Sequence, residues 1–468
     1  MSRFVVSAVH KSSGKTTVSV GIAAALRKRG LEVQTFKKGP DFIDPLWHAL
    51  ASGRPCYNLD FHTQTSEEIL ASIAMRARAG TIALIEGNMG LHDGLDLEGS
   101  DSTAALARLV DAPVVLVIDA EGMTRGVAPL LLGTASFDPR LRFAGVILNR
   151  VATPRQQGKL VAAIERYSSV PVLGSLGRDT GMMVVERHLG LMTPAEAEAG
   201  DARIGHLAQV IEENVDLDAL LAATTPGRAL PEVVPATAPG RRDVRIGIAR
   251  DSAFCFYYAD DLEAFARAGA ELVAFSPLAS PHLPDVDALF IGGGFPETHM
   301  RELEANAGLR EEIRAVAAAG MPIYAECGGL MYLSRAIRWA GAAHAMAGVV
   351  PAETIMHERP QGRGLVVLES TGEAPWAPIG AASGDLPAHE FHHGALAGVE
   401  PSARFAYRMR RGAGIDGSHD GIVVGNTVAS FSHLRDTSRS RWVGQFVDFV
   451  RSRRSARHGE APRRATGS

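Results

Sequence analysis

The chain has 468 residues, of which 46% are hydrophobic and 21% are charged, and its formal net charge is −4 at pH 7. This length exceeds one ordinary hydrophobic core, so we expect two or three domains. The charge gives no sign of a nucleic-acid partner, and no apolar run is long enough to predict a membrane span. Cys56, Cys255 and Cys327 stand far apart, which argues against a disulfide framework and predicts a reducing, cytoplasmic location.

The first half of the chain alternates short β-branched runs with amphipathic stretches, which indicates βαβ units. In chain order, the predicted strands and helices are Phe4–Val9, Thr17–Arg29, Val33–Phe36, Ser66–Arg78, Ile82–Glu86, Thr103–Val110, Val114–Asp119 and Ala144–Asn149. We therefore expect an α/β domain with a doubly wound sheet over residues 1–222.

The tripeptide Gly14-Lys15-Thr16 lies between the first predicted strand and the first predicted helix. In a phosphate-binding loop, backbone N–H groups cradle the phosphates, the lysine reaches the terminal phosphates and the hydroxyl binds Mg²⁺. The usual first glycine is missing because Val9 stands there, and a serine-capped helix start is the simpler alternative. We predict nucleotide binding by Ser13, Gly14, Lys15, Thr16 and Thr17.

Acidic residues follow two of the predicted strands. Glu86 ends a buried run, where a carboxylate is costly unless a cation compensates it, and we interpret it as a Mg²⁺ ligand. Asp41 and Asp44 follow the second strand, beside Lys37 and Lys38. Acidic turn residues are often simple caps, but open α/β sheets bind ligands at the carboxyl ends of their strands. We therefore expect these residues near the nucleotide.

The second half of the chain repeats the alternation after a break. Residues 223–242 are rich in proline, alanine and threonine without periodicity, which predicts a linker. A second doubly wound α/β domain is predicted over residues 243–450. Its predicted strands are Val244–Ala249, Glu271–Phe275, Ala288–Ile291, Pro322–Ala325 and Ile422–Ser430. Residues 451–468 are basic and poor in apolar side chains, which predicts a disordered tail.

Cys327 lies in the segment YAECGGLMYL, between a predicted strand and an apolar helical pattern. A free cysteine is most often packed in a core, but strand, small-residue turn and helix also describe a nucleophile elbow. Backbone N–H groups of the three glycines that end the strand in FIGGGFPE, together with that of Gly328, would then form an oxyanion hole. His433 is the best candidate base because it follows a late strand. Spacing does not separate it from His357, His389, His392 and His393.

Two sets of specific strings run through the chain in order. The first half contains GKTTVSVGIAAALRKRGLEVQTFKKGPDFIDP, EGNMGLHDG and AGVILNRV; the second contains AFCFYYADDLEAFARAGAELVAFSPL, IGGGFPETH, YAECGGLMYL and HEFHHG. From about residue 3 to residue 448 the chain resembles the cobyrinate (or hydrogenobyrinate) a,c-diamide synthase family, glutamine-dependent amidases of tetrapyrrole carboxylates. The resemblance implies a P-loop, dethiobiotin synthetase-like domain followed by a class I glutamine amidotransferase domain.

The resemblance implies a role for most of the residues singled out above. Cys327 would be the glutaminase nucleophile, His433 its base and Asn149 an adenine contact, with the oxyanion hole at Gly293, Gly294 and Gly328. The implied metal neighbours are Thr16, Glu86 and Asp41. The implied substrate neighbours are Asp41, Phe42, Asp44, His92 and Asp93. The common triad ends in His-x-Glu, but Arg435 stands two residues after His433, as is usual in this branch, so the group that orients the base is left open.

The implied reaction joins two chemistries. Cys327 attacks glutamine and releases ammonia, while ATP converts a substrate carboxylate into an acyl phosphate that ammonia displaces. The implied requirements are ATP, Mg²⁺ and glutamine. The implied substrate is a tetrapyrrole such as cobyrinate or hydrogenobyrinate, amidated at its a and c acetates in cobalamin biosynthesis.

Two alternatives stay open at the level of the sequence. HKSSGKTT, FKKGPD and CYNLDF are similar to the siroheme amidase branch, associated with dissimilatory sulfur metabolism. A regulatory P-loop ATPase with an inactive glutaminase-like domain is the more remote alternative. We expect no nucleic-acid or membrane partner, and the oligomeric state is open, with a homodimer as one option.

Overall fold

The computed structural model describes residues 2–178, 200–224, 242–376 and 384–459, with the short pieces 186–187, 190–191, 227 and 229–233. The chain forms two compact units, Met1–Pro235 and Ala236–Ser468. The division falls inside the 223–242 segment predicted as a linker, whose residues 225, 226, 228 and 234–241 lie outside the described part. None of the helices in the described ranges is long and apolar enough to cross a membrane.

The first unit alternates strands and helices. Its described elements are β1 Ser2–Ala8, α1 Lys15–Lys28, β2 Val33–Lys38, α2 Ile43–Ser52, β3 Tyr57–Leu59, α3 Ser66–Arg76, β4 Ile82–Glu86, α4 Thr103–Leu109, β5 Val114–Asp119, α5 Val127–Phe137, β6 Phe143–Val151, α6 Pro154–Tyr167, β7 Val172–Gly177, β8 Glu186–Arg187, β9 Gly190–Leu191, α7 Gly200–Asn214 and α8 Leu217–Ala223. The strands and helices predicted for this half are present, and their ends differ from the prediction by at most two residues.

The main sheet of the first unit is parallel, in the order β3-β2-β4-β1-β5-β6-β7 among the described residues. Its central strands are apolar runs buried on both faces, as expected when helices cover both sides of a sheet. The register places Glu86 of β4 beside Val6 of β1 and Lys37 of β2. The carboxyl ends of these three strands therefore lie side by side, at the edge where the loop before α1 begins.

Close helix packing holds α1 on this sheet. Val18, Ile22 and Leu26 of α1 belong to one buried cluster with apolar residues of the strands and of α7. A Cβ at Gly21 would lie 2.7 Å from Ile211 Cγ1, so the glycine permits α1 and α7 to approach. This packing fixes the position of the first turn of α1.

The second unit is richer in strands. Its described elements are β10 Val244–Ala249, β11 Phe254–Phe256, α9 Ala259–Arg267, β12 Ala270–Phe275, β13 Ala288–Ile291, β14 Gly293–Gly294, a 3-10 helix Pro296–Thr298, α10 Met300–Ala305, α11 Ala307–Ala318, β15 Ile323–Glu326, α12 Gly328–Leu333, β16 Ala336–Trp339, β17 Ala342–Ala345, β18 Glu353–Met356, β19 Gly362–Ser370, β20 Asp385–His392, β21 Gly394–Ala397, β22 Arg404–Arg411, β23 His419–Val424, β24 Thr427–Ser430 and α13 Trp442–Gly459.

The main sheet of the second unit is mixed, in the order β12-β10-β13-β15-β24-β23-β22-β19-β20 among the described residues. The first five strands in this order are mutually parallel, and the other four extend the sheet in antiparallel fashion. Because β13, β15 and β24 are neighbours, the segments that follow their carboxyl ends meet at one edge. The prediction of a doubly wound sheet describes the parallel part, and the antiparallel extension went unpredicted.

Two predictions for this unit are wrong. Residues Ile422–Ser430, predicted as one strand, belong to the hairpin β23–β24, which turns at Gly425 (φ +57°) and Asn426. Residues 451–459, predicted to be disordered, continue α13, and the Arg451 guanidinium pairs with the Asp243 carboxylate at 2.9 and 3.0 Å. Residues 460–468 of the predicted tail lie outside the described residues.

Candidate active sites

The loop between β1 and α1 is closed around a glycine. Gly14 precedes the first residue of α1 with φ +88°, in the left-handed region that glycine adopts at little cost. A Cβ at this position would lie 2.2 Å from Asn149 Nδ2. The same Nδ2 donates a hydrogen bond to the Ser13 carbonyl oxygen at 3.0 Å. Asn149, near the end of β6, thus holds the loop by a hydrogen bond. Its contact with adenine stays a prediction.

Lys15 is the first residue of α1 and is largely buried. Its Nζ donates to the carbonyl oxygen of His10 at 3.4 Å, and the Ser13 hydroxyl donates to the same oxygen at 2.9 Å. Burial and the nearby Lys37 ammonium lower the pKa of Lys15 to about 8. A bound phosphate would oppose this lowering of the pKa, because its charged oxygens are strong acceptors that stabilise the ammonium form of Lys15.

A compact group of buried charges lies beside the loop. Lys37 Nζ is 2.6 Å from Asp44 Oδ2 and 2.8 Å from Glu86 Oε1. His48 Nε2 lies 2.5 Å from the other oxygen, Glu86 Oε2. Burial alone would raise the pKa of Glu86, but Lys37 and His48 lower it well below its usual value. Lys37 and His48 therefore lie where they offset the charge of Glu86, and its role as a Mg²⁺ ligand stays a prediction.

Thr16 completes this group. Its hydroxyl donates to Glu86 Oε1 at 2.7 Å and lies 3.3 Å from Asp44 Oδ2. Asp41, expected at the metal, instead uses Oδ1 to accept the backbone N–H groups of Ile43 and Asp44 at the start of α2, and Asp44 is the acidic residue that contacts Thr16. Burial and the neighbouring Asp41 charge raise the pKa of Asp44 to about 7.

A magnesium ion is compatible with this arrangement. A hydroxyl and two carboxylates are the hard oxygen donors that Mg²⁺ prefers, and Thr16, Asp44 and Glu86 bring them together. Among the described residues no set of three or more histidine, cysteine, aspartate or glutamate side chains is arranged as a metal site. In nucleotide sites, phosphate oxygens commonly complete the coordination of a Mg²⁺ ion that the protein holds by one or two carboxylates.

The other predicted substrate residues lie around this edge with different partners. Phe42 precedes α2. Asp93 accepts the backbone N–H of Gly90 at 2.9 Å through Oδ2, which closes the turn after β4. His92 turns towards α5, where Nε2 is 2.9 Å from the Thr134 carbonyl oxygen and the ring packs against Phe137. Asp93 is thus placed near the loop, whereas His92 makes its contacts with α5.

In the second unit, Cys327 lies on the sharp turn between β15 and α12. Its φ of +48° and ψ of −104° are strained for a residue with a Cβ. Its N–H donates to the Ser430 carbonyl oxygen at 2.7 Å, and its sulfur is 3.7 Å from the Phe391 carbonyl oxygen. A Cβ at Gly329 would lie 2.1 Å from the Ile291 carbonyl oxygen, so the turn requires a small residue there. This is the geometry of a nucleophile elbow.

A glycine segment faces Cys327 from the end of β13. Gly293 and Gly294 form β14, which pairs with β11. A Cβ at Gly293 would lie 2.7 Å from His433 Cε1, and one at Gly328 would lie 3.0 Å from the Gly294 nitrogen. The three glycines predicted for the oxyanion hole are therefore close to each other and to the candidate base.

His433 is buried next to Cys327. Its side chain hydrogen-bonds with that of Cys327, and Nδ1 lies 3.1 Å from Glu326 Oε2. Although burial lowers the pKa of His433, the hydrogen bonds with Cys327 and Glu326 raise it to about 10. A histidine with so high a pKa is protonated at neutral pH.

The competing histidines have other partners. His389 pairs with His433 through the backbone, and the two ring centroids are 6.3 Å apart. His392 Nδ1 donates to the Gly394 carbonyl oxygen, and its ring stacks on Phe431 at 3.9 Å. The remaining two, His357 and His393, bond to each other through backbone and ring atoms at 3.1 Å or less.

Sequence reasoning missed the side chain that contacts the far nitrogen of His433. Glu326 directly precedes Cys327, and it is buried with Oε2 towards Nδ1. The available signal was a carboxylate at the end of a buried run, the same signal that singled out Glu86. Arg435 points elsewhere, because its Nη2 is 2.7 Å from Asp260 Oδ2.

Two family models match the chain. Residues 5–190 match the model described as CobQ/CobB/MinD/ParA nucleotide binding domain. Residues 245–440 match the model described as CobB/CobQ-like glutamine amidotransferase domain. The first range contains the loop and the buried charges, and the second contains Cys327 and His433.

Curated relatives match nearly the whole chain. The cobyrinate a,c-diamide synthase of Magnetococcus marinus is 47% identical, over 97% of this chain and 98% of the relative. The enzyme of the same name from Methanosarcina acetivorans is 41% identical, over 98% and 97%. That of Archaeoglobus fulgidus is 39% identical, over 95% and 96%.

Proposed function

The chain belongs to the cobyrinate a,c-diamide synthase family, and we propose that it amidates the a and c acetates of cobyrinate or hydrogenobyrinate with ATP and glutamine, in cobalamin biosynthesis. The observation that carries this proposal is the hydrogen-bonded pair of Cys327 and His433 beside a glycine strand end. The three relatives named above are all cobyrinate a,c-diamide synthases. They favour a cobyrinate-type substrate over the siroheme alternative.

The second unit supplies ammonia. The Cys327 thiolate attacks the side-chain amide carbon of glutamine and forms a C–S bond, while the N–H groups of Gly294 and Gly328 hold the oxyanion. His433 protonates the amide nitrogen, the C–N bond breaks and ammonia leaves. His433 then takes a proton from water, whose oxygen attacks the thioester carbon; the C–S bond breaks, glutamate leaves, and the thiolate and protonated histidine are restored.

The first unit activates the carboxylate. A carboxylate oxygen of the substrate attacks the γ-phosphorus of ATP and ADP leaves. Ammonia then adds to the carbonyl carbon of the acyl phosphate, and phosphate leaves. The loop N–H groups and Lys15 hold the phosphates and stabilise the charge that develops on them.

A magnesium ion, when bound with ATP, would neutralise phosphate charge. Thr16, Asp44 and Glu86 are the residues that would hold it. Lys37 forms ion pairs with both carboxylates, Asp44 and Glu86, which holds them in place. Asp41, whose Oδ1 caps α2, is retained as a substrate neighbour together with Asp93.

Product analysis tests the proposal. The purified protein is incubated with ATP, Mg²⁺ and glutamine, and with cobyrinate, hydrogenobyrinate, sirohydrochlorin or siroheme in separate reactions. Mass spectrometry detects each replacement of a carboxyl OH by NH₂. We expect a diamide from cobyrinate or hydrogenobyrinate, formed together with glutamate and ADP. Amidation of siroheme alone would reject the proposed substrate, and no amidation of any of the four would reject the proposed function.

A further inference from the structure

We propose that Glu326 is the positioning residue of the glutaminase site, which holds the His433 imidazole against Cys327 and stabilises its protonated form. The inference deepens the proposed function and rests on it for the role of Cys327. It fills the place that the sequence left open, because Arg435 stands where the common triad has a carboxylate.

The Glu326 carboxylate is fixed by three donors. Oε2 lies 3.1 Å from His433 Nδ1. Oε1 accepts the backbone N–H of Leu434 at 2.9 Å and the hydroxyl of Tyr324 at 2.8 Å. Because Oε1 accepts two hydrogen bonds, Oε2 is held in one direction, towards the His433 imidazole. Glu326 is only 3% exposed and its carboxylate accepts three hydrogen bonds, so the side chain has little freedom to rotate away from His433.

The bond to Glu326 determines what His433 can do. When Nδ1–H donates to the carboxylate, Nε2 is left to exchange a proton with the thiol of Cys327. The negative charge of Glu326 also stabilises the imidazolium that forms when the thiol gives up its proton. Glu326, the last residue of β15, and Cys327, on the turn that follows it, thus act on the two nitrogens of one ring.

Arg435 does not orient the His433 imidazole. It is buried, and its guanidinium donates through Nε and Nη2 to Asp260 Oδ2 at 3.1 and 2.7 Å. The guanidinium also lies over the ring of Tyr258, with Cζ 5.2 Å from its centroid. Arg435 therefore fastens the segment after His433 to the start of α9.

Four other ionisable side chains lie near Cys327, His433 or Glu326. His389 of β20 faces His433 with a centroid distance of 6.3 Å. Asp420 of β23 is buried and accepts the N–H groups of Phe431 and Ser432. Tyr324 and Tyr407 lie near Glu326, and burial raises the pKa of both hydroxyls. Glu326 bonds directly to Nδ1 of His433.

The test compares Glu326→Gln with Glu390→Gln in the full-length protein. Glu390 is a matched control because it is also buried, accepts the N–H groups of Ala413 and Gly414, and lies 3.7 Å from a histidine, His392. Two quantities are measured: kcat and KM for glutamine hydrolysis, and the pH dependence of Cys327 alkylation by iodoacetamide, followed by peptide mass spectrometry. Circular dichroism reports folding.

We expect Glu326→Gln to lower kcat by roughly 10²-fold or more with a smaller change in KM, since the loss falls on proton transfer. The variant should also shift the alkylation profile of Cys327 to higher pH, and Glu390→Gln should change neither quantity. An unshifted alkylation profile in folded Glu326→Gln would overturn the inference. So would a wild-type Cys327 that titrates at the ordinary thiol value of about 8.5, a result that needs no variant to fold.

The two failures are distinguishable. If the wild-type protein hydrolyses no glutamine, the proposed function fails, while the alkylation profiles still decide whether Glu326 controls the pair. If the wild type is active and Glu326→Gln equals it in kcat and in alkylation, only the role of Glu326 is rejected.

Discussion

Cys327 occupies a backbone conformation that most residues avoid, with φ at +48°. Cys56 is equally buried, but burial raises the pKa of its thiol and its side-chain hydrogen bond is with Thr35. Residue type and burial alone do not distinguish Cys327 from Cys56. What separates them is the strained turn, the adjacent glycines and a protonated histidine. The sharp turn at Cys327 was predictable from its flanking pattern, whereas the contact between Glu326 and His433 depends on strands that are about a hundred residues apart in the chain.

The elevated pKa of His433 predicts a pH-dependent contribution to stability. Because the folded-state pKa, about 10, exceeds the ordinary value of about 6.5, this contribution is fully present below pH 6.5 and is lost as the pH rises towards 10. We expect the difference in unfolding free energy between wild type and His433→Gln to be largest near pH 6 and to shrink by pH 10. Urea denaturation at several pH values measures it, and a difference that grows with pH would contradict the assignment.

Gly293 is predicted to tolerate no side chain. Its added Cβ would lie 2.7 Å from His433 Cε1 and 3.3 Å from Phe256 Cβ, so Gly293→Ala should displace the base. We expect glutamine hydrolysis to fall by roughly 10²-fold or more, while amidation driven by ammonium salts continues. Gly308→Ala is the control, because nothing lies within 4 Å of a Cβ there. Equal glutaminase activity in both variants would count against the proposed oxyanion geometry.

At the scale of elements, parallel strands were predicted best. Val244–Ala249, Val114–Asp119 and Ile82–Glu86 have the predicted bounds, because strands buried on both faces read as continuous apolar runs. The hairpin β23–β24 was missed since its strands form one such run across a two-residue turn. The strands of the antiparallel extension mix polar and apolar residues, so β19, β20 and β22 gave too weak a pattern.

The ion pair between the buried side chains of Lys37 and Glu86 could not be predicted from the pattern of either strand. Lys37 and Glu86 are opposite each other on β2 and β4, and nothing local in the sequence reveals that pairing. Lys37→Met would leave two buried carboxylates without their cation, which costs about 3–5 kcal/mol of unfolding free energy. Hydrogen exchange of β4 peptides measures this loss.

The matched control for this prediction is Lys28→Met. The Lys28 ammonium pairs with Glu212 at 2.6 Å, but its side chain is 61% exposed. We expect a change below about 1 kcal/mol. If both variants had the same β4 exchange rates, Lys37 would not be the compensating cation.

For the molecule as a whole, the division into an ammonia-producing and a carboxylate-activating unit came from the order of motifs along the chain. Each unit is built around the carboxyl ends of its parallel strands, where open α/β sheets bind their ligands. The residues that the sequence singled out as candidates lie at these edges. The sequence left open which side chains hold the reactive ones in place, since Lys37, His48 and Glu326 act through contacts distant in sequence.

The central claim is that two separate chemistries share one chain, and nitrogen-source exchange tests it most directly. Amide formation on cobyrinate is measured for wild type, Cys327→Ala and Lys15→Ala, each with glutamine and with ammonium chloride. We expect ammonium to restore amidation in Cys327→Ala, which lacks only the source of ammonia, and to leave Lys15→Ala inactive with either donor. Rescue of both variants, or of neither, would contradict this account.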